Sequence, residues 1–336
     1  MHIFNKATNI DFLGKRKQAL FISIALILIS IAALAIRGLN FGVDFTGGTL
    51  VEVGYDQAVE VEMVRTNLEN AEFEDAIVQH FGTSKDVLIR LPSTDTKDAV
   101  SLSAKIVETL RAGNGEVLSP NIEGVNGIQQ CIKNATTADC SIQMRRVEFV
   151  GPQVGEELAN QGGLAMLYAL FGILVYVAFR FRWQFSVGSV VALVHDVMIT
   201  LGAFALFQFE FTLSVLAAVL AVIGYSLNDT IVVFDRIREN FRKKRKGDRV
   251  FVINSAINDT LPRTILTSVT TMLVVLTLLL FGGEVLRGFS IALALGVLIG
   301  TYSSIFVASP SVLALGIQRE HMMPAEKEED DIKALV

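Results

Sequence analysis

Apolar residues along this chain gather into six long runs, at 18–37, 162–180, 185–208, 211–234, 262–281 and 287–312. Each approaches the roughly 20 residues that a helix needs to cross a bilayer, and every other stretch is too polar to do so. The pattern predicts an α-helical membrane bundle of six transmembrane helices. The polar connection between the first two runs, residues 38–161, is far too long for a simple loop and reads as a folded domain. Within it Thr49–Tyr55 alternates like a strand, Val59–Phe73 has helical apolar spacing, and Ala76–Phe81 and Val87–Leu91 form a strand pair around 82–86. A second helix, Lys97–Arg111, stops at Gly113-Asn114-Gly115, and Met144–Val150 makes a last strand. The order β-α-β-β-α-β is that of one small α+β, ferredoxin-like domain, with Pro120–Ser141 as an insertion.

Composition supports a membrane protein, since 51% of the residues are hydrophobic and the mean hydropathy is +0.50. The net charge of -5 matters less than where the charges fall. Lys15, Arg16 and Lys17 precede the first run, Arg180 and Arg182 lie between the second and third, and eight bases from Arg236 to Arg249 follow the fourth. The positive-inside rule makes those segments cytoplasmic, so residues 1–17, the loop 235–261 and the acidic tail 313–336 lie inside, and 38–161 is periplasmic. Such a chain belongs in a bacterial inner membrane, multi-pass, with both termini cytoplasmic. The basic run reads as a topology anchor beside anionic lipid, not as a nucleic-acid arm. The first run is longer than a usual signal core and reads as a retained anchor despite Ala33-Leu34-Ala35.

Cys131 and Cys140 are the two cysteines, and both lie in the insertion on the oxidising side. A disulfide stapling a loop and a pair of free thiols remain equally open. No metal centre is expected, because no histidine or further cysteine lies near them in the insertion. The turn-rich segment Gly38–Gly48 lacks phosphate-loop spacing, and no Gly-x-x-x-x-Gly-Lys-Ser/Thr occurs, so ATP is not the expected energy source. No cofactor is expected.

Asp229 lies inside the fourth run, where an acidic side chain at mid-helix costs about 2.5–3.5 kcal/mol to insert. Residues of this kind face a bundle interior and serve ion or proton movement. Counted at 1.5 Å per residue from Thr212, it sits about 26 Å inward, in the cytoplasmic third. Pro262 suits the first turn of the fifth helix, which puts Arg263 at the same depth and within reach. Thr267 follows on the same helical face, and Thr271 continues it. Asn228 is a further possible member. His195 and Asp196 lie mid-way along the third run, about 100° apart, so one at most shares a face with Asp229. Asp235 and Arg236 read as a local ion pair, and Gly296-x-x-x-Gly300 as a helix-packing seam. A six-helix bundle with one polar interior face is also a natural half of a larger assembly, made with a second copy or a related chain.

Three stretches carry a resemblance: Gly42-Val43-Asp44-Phe45-Thr46-Gly47-Gly48, Gly224-Tyr225-Ser226-Leu227-Asn228-Asp229-Thr230 with its continuation to Arg236, and Leu261-Pro262-Arg263-Thr264-Ile265-Leu266-Thr267-Ser268. With the span order and the early external domain, they resemble the SecD/SecF family of protein-export membrane subunits, over about residues 10–315. The large extra external domain of the SecD members is absent between 38 and 157. The resemblance implies the resistance-nodulation-division superfamily, pairing with SecD into a twelve-helix bundle, and association with the SecYEG translocon and the translocating preprotein. It implies an accessory role, not an enzyme's, in which protons are the coupling ion and the proton-motive force promotes late stages of export. On that basis Asp229, Arg263 and Thr267 carry the proton path. Two other readings compete with this one. A small-molecule or lipid exporter of the same superfamily would need larger external domains, and an intramembrane aspartyl protease on Asp196 and Asp229 lacks the Gly-x-Gly-Asp setting of such enzymes.

Overall fold

The computed structural model describes residues 8–71, 73, 75–91, 99–119, 129–133, 136–244 and 248–318. Residues 1–7, Lys97, Arg245, Lys246, much of the expected insertion and the tail from 319 lie outside the described residues. Two compact units emerge, one from Met1–Asn40 with Ala165–Val336 and one from Phe41–Leu164. In chain order come α1 (Arg16–Ile36), β1 (Asn40–Phe41), the one-turn α2 (Val43–Thr46), β2 (Gly48–Tyr55), α3 (Val61–Glu69), β3 (Ile77–Phe81) and β4 (Thr83–Leu91). Next are α4 (Ala99–Gly113), β5 (Val117–Leu118), β6 (Gln130–Lys133), β7 (Thr136–Asp139) and β8 (Ile142–Val150). The helices α5 (Pro152–Arg180), α6 (Trp183–Phe207), α7 (Leu213–Lys243), α8 (Arg249–Phe281) and α9 (Gly283–Ser303) follow, with β9 (Glu210–Phe211) before α7. A π-helical turn, Ser304–Ala308, leads into α10 (Ser309–Ala314).

In the α+β unit the main sheet runs β3-β4-β2-β8, with antiparallel neighbours throughout. Because side chains alternate along a strand, Val51 and Val53 of β2 face a core with Val64 and Leu68 of α3 and Ile106 and Leu110 of α4. Leu50 turns the other way, toward Val43 and Leu88. The expected β-α-β-β-α-β order is present, and the insertion contributes β6 and β7 to a second, three-stranded sheet β5-β6-β7, whose edge strand β5 lies just before it. Cys131 and Cys140 form a disulfide, resolving what their spacing left open. Gly47 has φ +68°, and a Cβ placed on Gly155 in the first turns of α5 would meet the Gly47 backbone nitrogen at 2.7 Å. The glycines of this stretch therefore serve both a turn and a close backbone approach.

Six helices of the membrane unit are long and apolar enough to span a bilayer, with α6 and α7 the most buried and α5 and α8 mostly outward-facing. Phe185, Phe234, Ile237, Ile253, Ile257 and Val312 lie in its core. One expectation is overturned. The segment 235–261 is not a loop, because α7 continues to Lys243 and α8 begins at Arg249, leaving Pro262 inside the helix and not at its start. Asp248 starts α8 by accepting from Arg249 N at 2.7 Å. Proline has no N–H for the Asn258 carbonyl one turn back, and the Thr8 hydroxyl donates to that carbonyl instead, at 3.3 Å. Asn254 and Asn258, on one face of α8, bind the backbone of Ile10 and Phe12, so the polar start of the helix is a seat for the N-terminal segment.

Candidate functional site

Asp229 sits midway along α7 with 6% of its surface exposed. The Thr264 hydroxyl donates to its Oδ1 at 2.8 Å, and the Ser304 hydroxyl to its Oδ2 at 2.9 Å. Two features of sequence bring Ser304 there. Gly296 and Gly300 let α9 close on α7: a Cβ at Gly296 would lie 2.0 Å from Val222, and one at Gly300 would lie 3.0 Å from the Cβ of Ser226. Pro310 withdraws a backbone donor just beyond, and the widened π turn is braced where Ser309 Oγ donates to the Ser304 carbonyl at 2.9 Å.

Asp196 of α6 is fully buried and collects a second set of donors. Ser226 of α7 and Ser303, at the end of α9, both donate to its Oδ2, Ser303 at 2.7 Å. His195 Nδ1 lies 2.8 Å from its Oδ1. The imidazole continues through Nε2 to Ser23 of α1 at 3.2 Å, and Ser23 reaches the Tyr302 hydroxyl at 3.2 Å. Consecutive serines thus serve two carboxylates on different helices. Each carboxylate thus has its own donors, Thr264 and Ser304 at Asp229 and Ser226, Ser303 and His195 at Asp196, and nothing in this arrangement calls for the shared proton of an aspartyl protease.

The other expected residues fall outside this cluster. Arg263 lies exposed on α8 and acts on Asp229 only through space, with no ion pair between them among the described residues. Thr267 donates to the carbonyls of Arg263 and Thr264, at 3.0 Å each, and not to the carboxylate. Asn228 is exposed and Thr271 half-buried. Asp235 and Arg236 are not paired with each other. Arg180 holds Asp235 at 3.2 Å, while Arg236 bonds Asp259 at 3.1 Å and Glu239 at 2.7 Å. Sequence reasoning missed the direct donors Thr264 and Ser304. Thr264 sits beside Arg263 in the same family-like stretch, and Ser303-Ser304 are consecutive hydroxyls in an otherwise apolar span. Those are the signals that could have marked them.

With this geometry in view, likeness to known proteins gives it a context. The family model described as "Protein export membrane protein SecD/SecF, C-terminal" matches residues 130–318, and the "SecD/SecF GG Motif" matches 32–59. A protein translocase subunit SecF from Vibrio alginolyticus is 46% identical over 98% of this chain and 96% of its own length. Those of Pseudomonas aeruginosa and Escherichia coli O157:H7 are 46% and 43% identical, over 96% and 95% of this chain and 96% and 92% of their own. Among solved structures, the crystal structure of SecDF, a translocon-associated membrane protein from Thermus thermophilus, aligns with TM-score 0.77 at 35% identity over 93% of this chain. This chain spans 39% of the length of that SecDF chain.

Proposed function

The chain belongs to the SecD/SecF protein-export membrane family, on its SecF side, and from that premise we propose that it works with a SecD subunit beside the SecYEG translocon, using the proton-motive force to promote late stages of preprotein export. It is a multi-pass subunit of the bacterial inner membrane, and we assign it no covalent chemistry. Both termini lie in the cytoplasm, a reading supported by the basic flanks of α1, α5 and α7. The α+β unit is then periplasmic, and its β-α-β-β-α-β order and antiparallel sheet support a ferredoxin-like fold available to the emerging polypeptide.

The observation that carries the reading is Asp229, a carboxylate buried at bilayer depth and held by hydroxyls from α8 and the π turn. Beside it Arg263, Asn228 and Thr267 leave a polar, charged face open on α7 and α8. Lipid is a poor neighbour for such a face, which supports its burial against the SecD partner. Protons from the periplasm reach Asp229 along this interface as the coupling ion. Arg263 stabilises its ionised form from α8, and Thr267 supports Arg263 by holding its carbonyl. Protonation releases the attraction and lets the helices shift, a change passed to the periplasmic unit. One charge crossing 100 mV yields about 2.3 kcal/mol, which biases a two-state equilibrium roughly fifty-fold.

The test is Asp229→Asn, which keeps shape and removes titration. Export of a preprotein into inverted membrane vesicles is expected to proceed with ATP but lose its response to an imposed proton gradient. Export that keeps its full proton-motive-force dependence in this variant would overturn the proposal.

A further inference from the structure

His195 and Asp196 are 2% and 0% exposed, in the middle of an apolar helix, and the coupling scheme above does not use them. Counting hydrogens along their chain shows that it has room for one more proton. Tyr302 has a single hydroxyl hydrogen, and its oxygen lies 2.9 Å from the Ala19 carbonyl, which only accepts. In the 3.2 Å contact between Tyr302 and Ser23, Ser23 is then the donor. A Ser23 hydroxyl turned toward Tyr302 cannot also donate to His195, so the 3.2 Å contact with Nε2 is made by Nε2–H. One hydrogen lies between Nδ1 and Asp196 Oδ1: with an ionised Asp196 it is on the ring, an imidazolium, and with a protonated Asp196 it is on the carboxyl, so in either case the pair holds the extra proton. If Ser23 instead turns to the bare Nε2, the ring is neutral and the contact with Tyr302 carries no hydrogen. The two arrangements share one set of heavy-atom positions and differ by one proton.

This pair is tied to the coupling carboxylate. Ser303 donates to Asp196 and the next residue, Ser304, donates to Asp229, both from the boundary of the π turn. Ser226, one turn before Asp229 on α7, also donates to Asp196. A shift of the π turn that releases Ser304 from Asp229 therefore pulls on Ser303 and changes the donors at Asp196. The titratable groups facing the pair are Tyr302 beside the π turn and Asp229 beyond the serines. From α1 the contact is Ser23, which does not titrate.

We propose that His195 and Asp196 form a second proton-holding site, whose occupancy is coupled to that of Asp229 through Ser303 and Ser304. The inference rests on the proton-coupling reading, and adds that α1 and α6 sense the protonation state that α7 and α8 set. The proton comes from water and is held on the imidazole, with Asp196 as its counter-ion.

The experiment uses the complex of this chain with its SecD-type partner, labelled with 15N-histidine and reconstituted in lipid. Four histidines are present, and His195→Gln identifies the His195 signals. Lowering the pH is expected to take His195 from one protonated ring nitrogen to two. Asp229→Asn should displace that change along the pH axis, and the double variant Ser303→Ala/Ser304→Ala should abolish the displacement. A His195 ring that keeps one protonation state as the pH falls, or a midpoint unmoved by Asp229→Asn, overturns the proposal. Thermal unfolding of each variant checks that it is folded. If Asp229→Asn leaves export dependent on the gradient yet still moves the His195 midpoint, the export reading fails while this site stands.

Discussion

Thr264 donates its hydroxyl to the Oδ1 of Asp229 at 2.8 Å, whereas Thr267, one turn further along α8, spends its hydroxyl on carbonyls of its own helix. The two threonines therefore have different predicted sensitivities. Thr264→Val keeps the shape but strips a donor from a buried carboxylate, a loss of about 1–3 kcal/mol. Thr267→Val loses an intrahelical contact at a half-buried position and should stay within about 0.5 kcal/mol. Thermal unfolding in detergent, with gradient-driven export measured in parallel, checks this. Equal effects of the two substitutions would remove Thr264 from the site.

Gly296 offers a second check, on what holds the π turn in place. A Cβ there would lie 2.0 Å from a methyl of Val222, so Gly296→Ala pushes α9 away from α7. Overpacking of this kind costs about 1–3 kcal/mol, and here it also draws Ser303 and Ser304 from their carboxylates. Val222→Ala removes the two methyls nearest the new Cβ, at 2.0 and 2.4 Å, and leaves its own Cβ at 2.8 Å. The double variant should recover part of the lost stability and export, an interaction that a double-mutant cycle measures directly. Additive losses would mean that the seam is not what positions the serines.

The six spans and the strand order of the α+β unit were legible because bilayer thickness and the two-residue period of a strand act on every residue in turn. Asp229 was legible for a related reason: a carboxylate in an apolar run has a cost that demands an explanation. Its partners were harder. Charge attracts charge at matching depth, which points to Arg263, yet in the isolated chain hydroxyls satisfy Asp229 and Arg263 faces outward. Spacing within one helix cannot show which residues of another helix meet it, and such spacing favours Thr267 over Thr264. Pro262 misleads for a local reason. Proline is common where helices start, and the compensating donor, Thr8, lies 250 residues from the Asn258 carbonyl that it serves. The 100° offset of His195 and Asp196 separates them on paper, but it fixes where Cβ atoms point and not where an imidazole can swing.

Arg111 sits almost wholly inside the α+β unit, 4% exposed, with Nε and Nη2 donating to the Ile142 carbonyl at 2.9 and 2.8 Å. Nη2 also reaches Gln129 at 2.6 Å, so one planar fork ties α4 to β8 and to the segment before β6. Burial lowers the guanidinium's proton affinity, which the Coulomb attraction of Glu116 partly restores, but arginine stays charged at any ordinary pH. Lysine supplies a point charge and no fork. Arg111→Lys should therefore destabilise the unit by about 1–3 kcal/mol even though the charge is kept. Hydrogen exchange at the amides of β6 and β8 would report it, and unchanged protection there would contradict this role.

Tyr55, at the end of β2, gives the α+β unit a pH dependence of predictable sign. Burial disfavours the phenolate and pushes its pKa from 10.0 to about 12. The unfolded chain thus gives up this proton at lower pH than the folded one, and between those values the folded state binds more protons. Stability from this residue is complete below pH 10 and is lost as pH rises through about 12. That difference in proton affinity sets a ceiling of about 2.7 kcal/mol, and the partial exposure of the ring brings the expectation down to about 2 kcal/mol. Tyr55→Phe cannot ionise, so its stability relative to the parent chain should rise by that amount across this window. Denaturant unfolding of both chains on either side of the window supplies the difference, in which the other four tyrosines cancel. A difference that does not change with pH would mean that the Tyr55 hydroxyl keeps its water in the folded state.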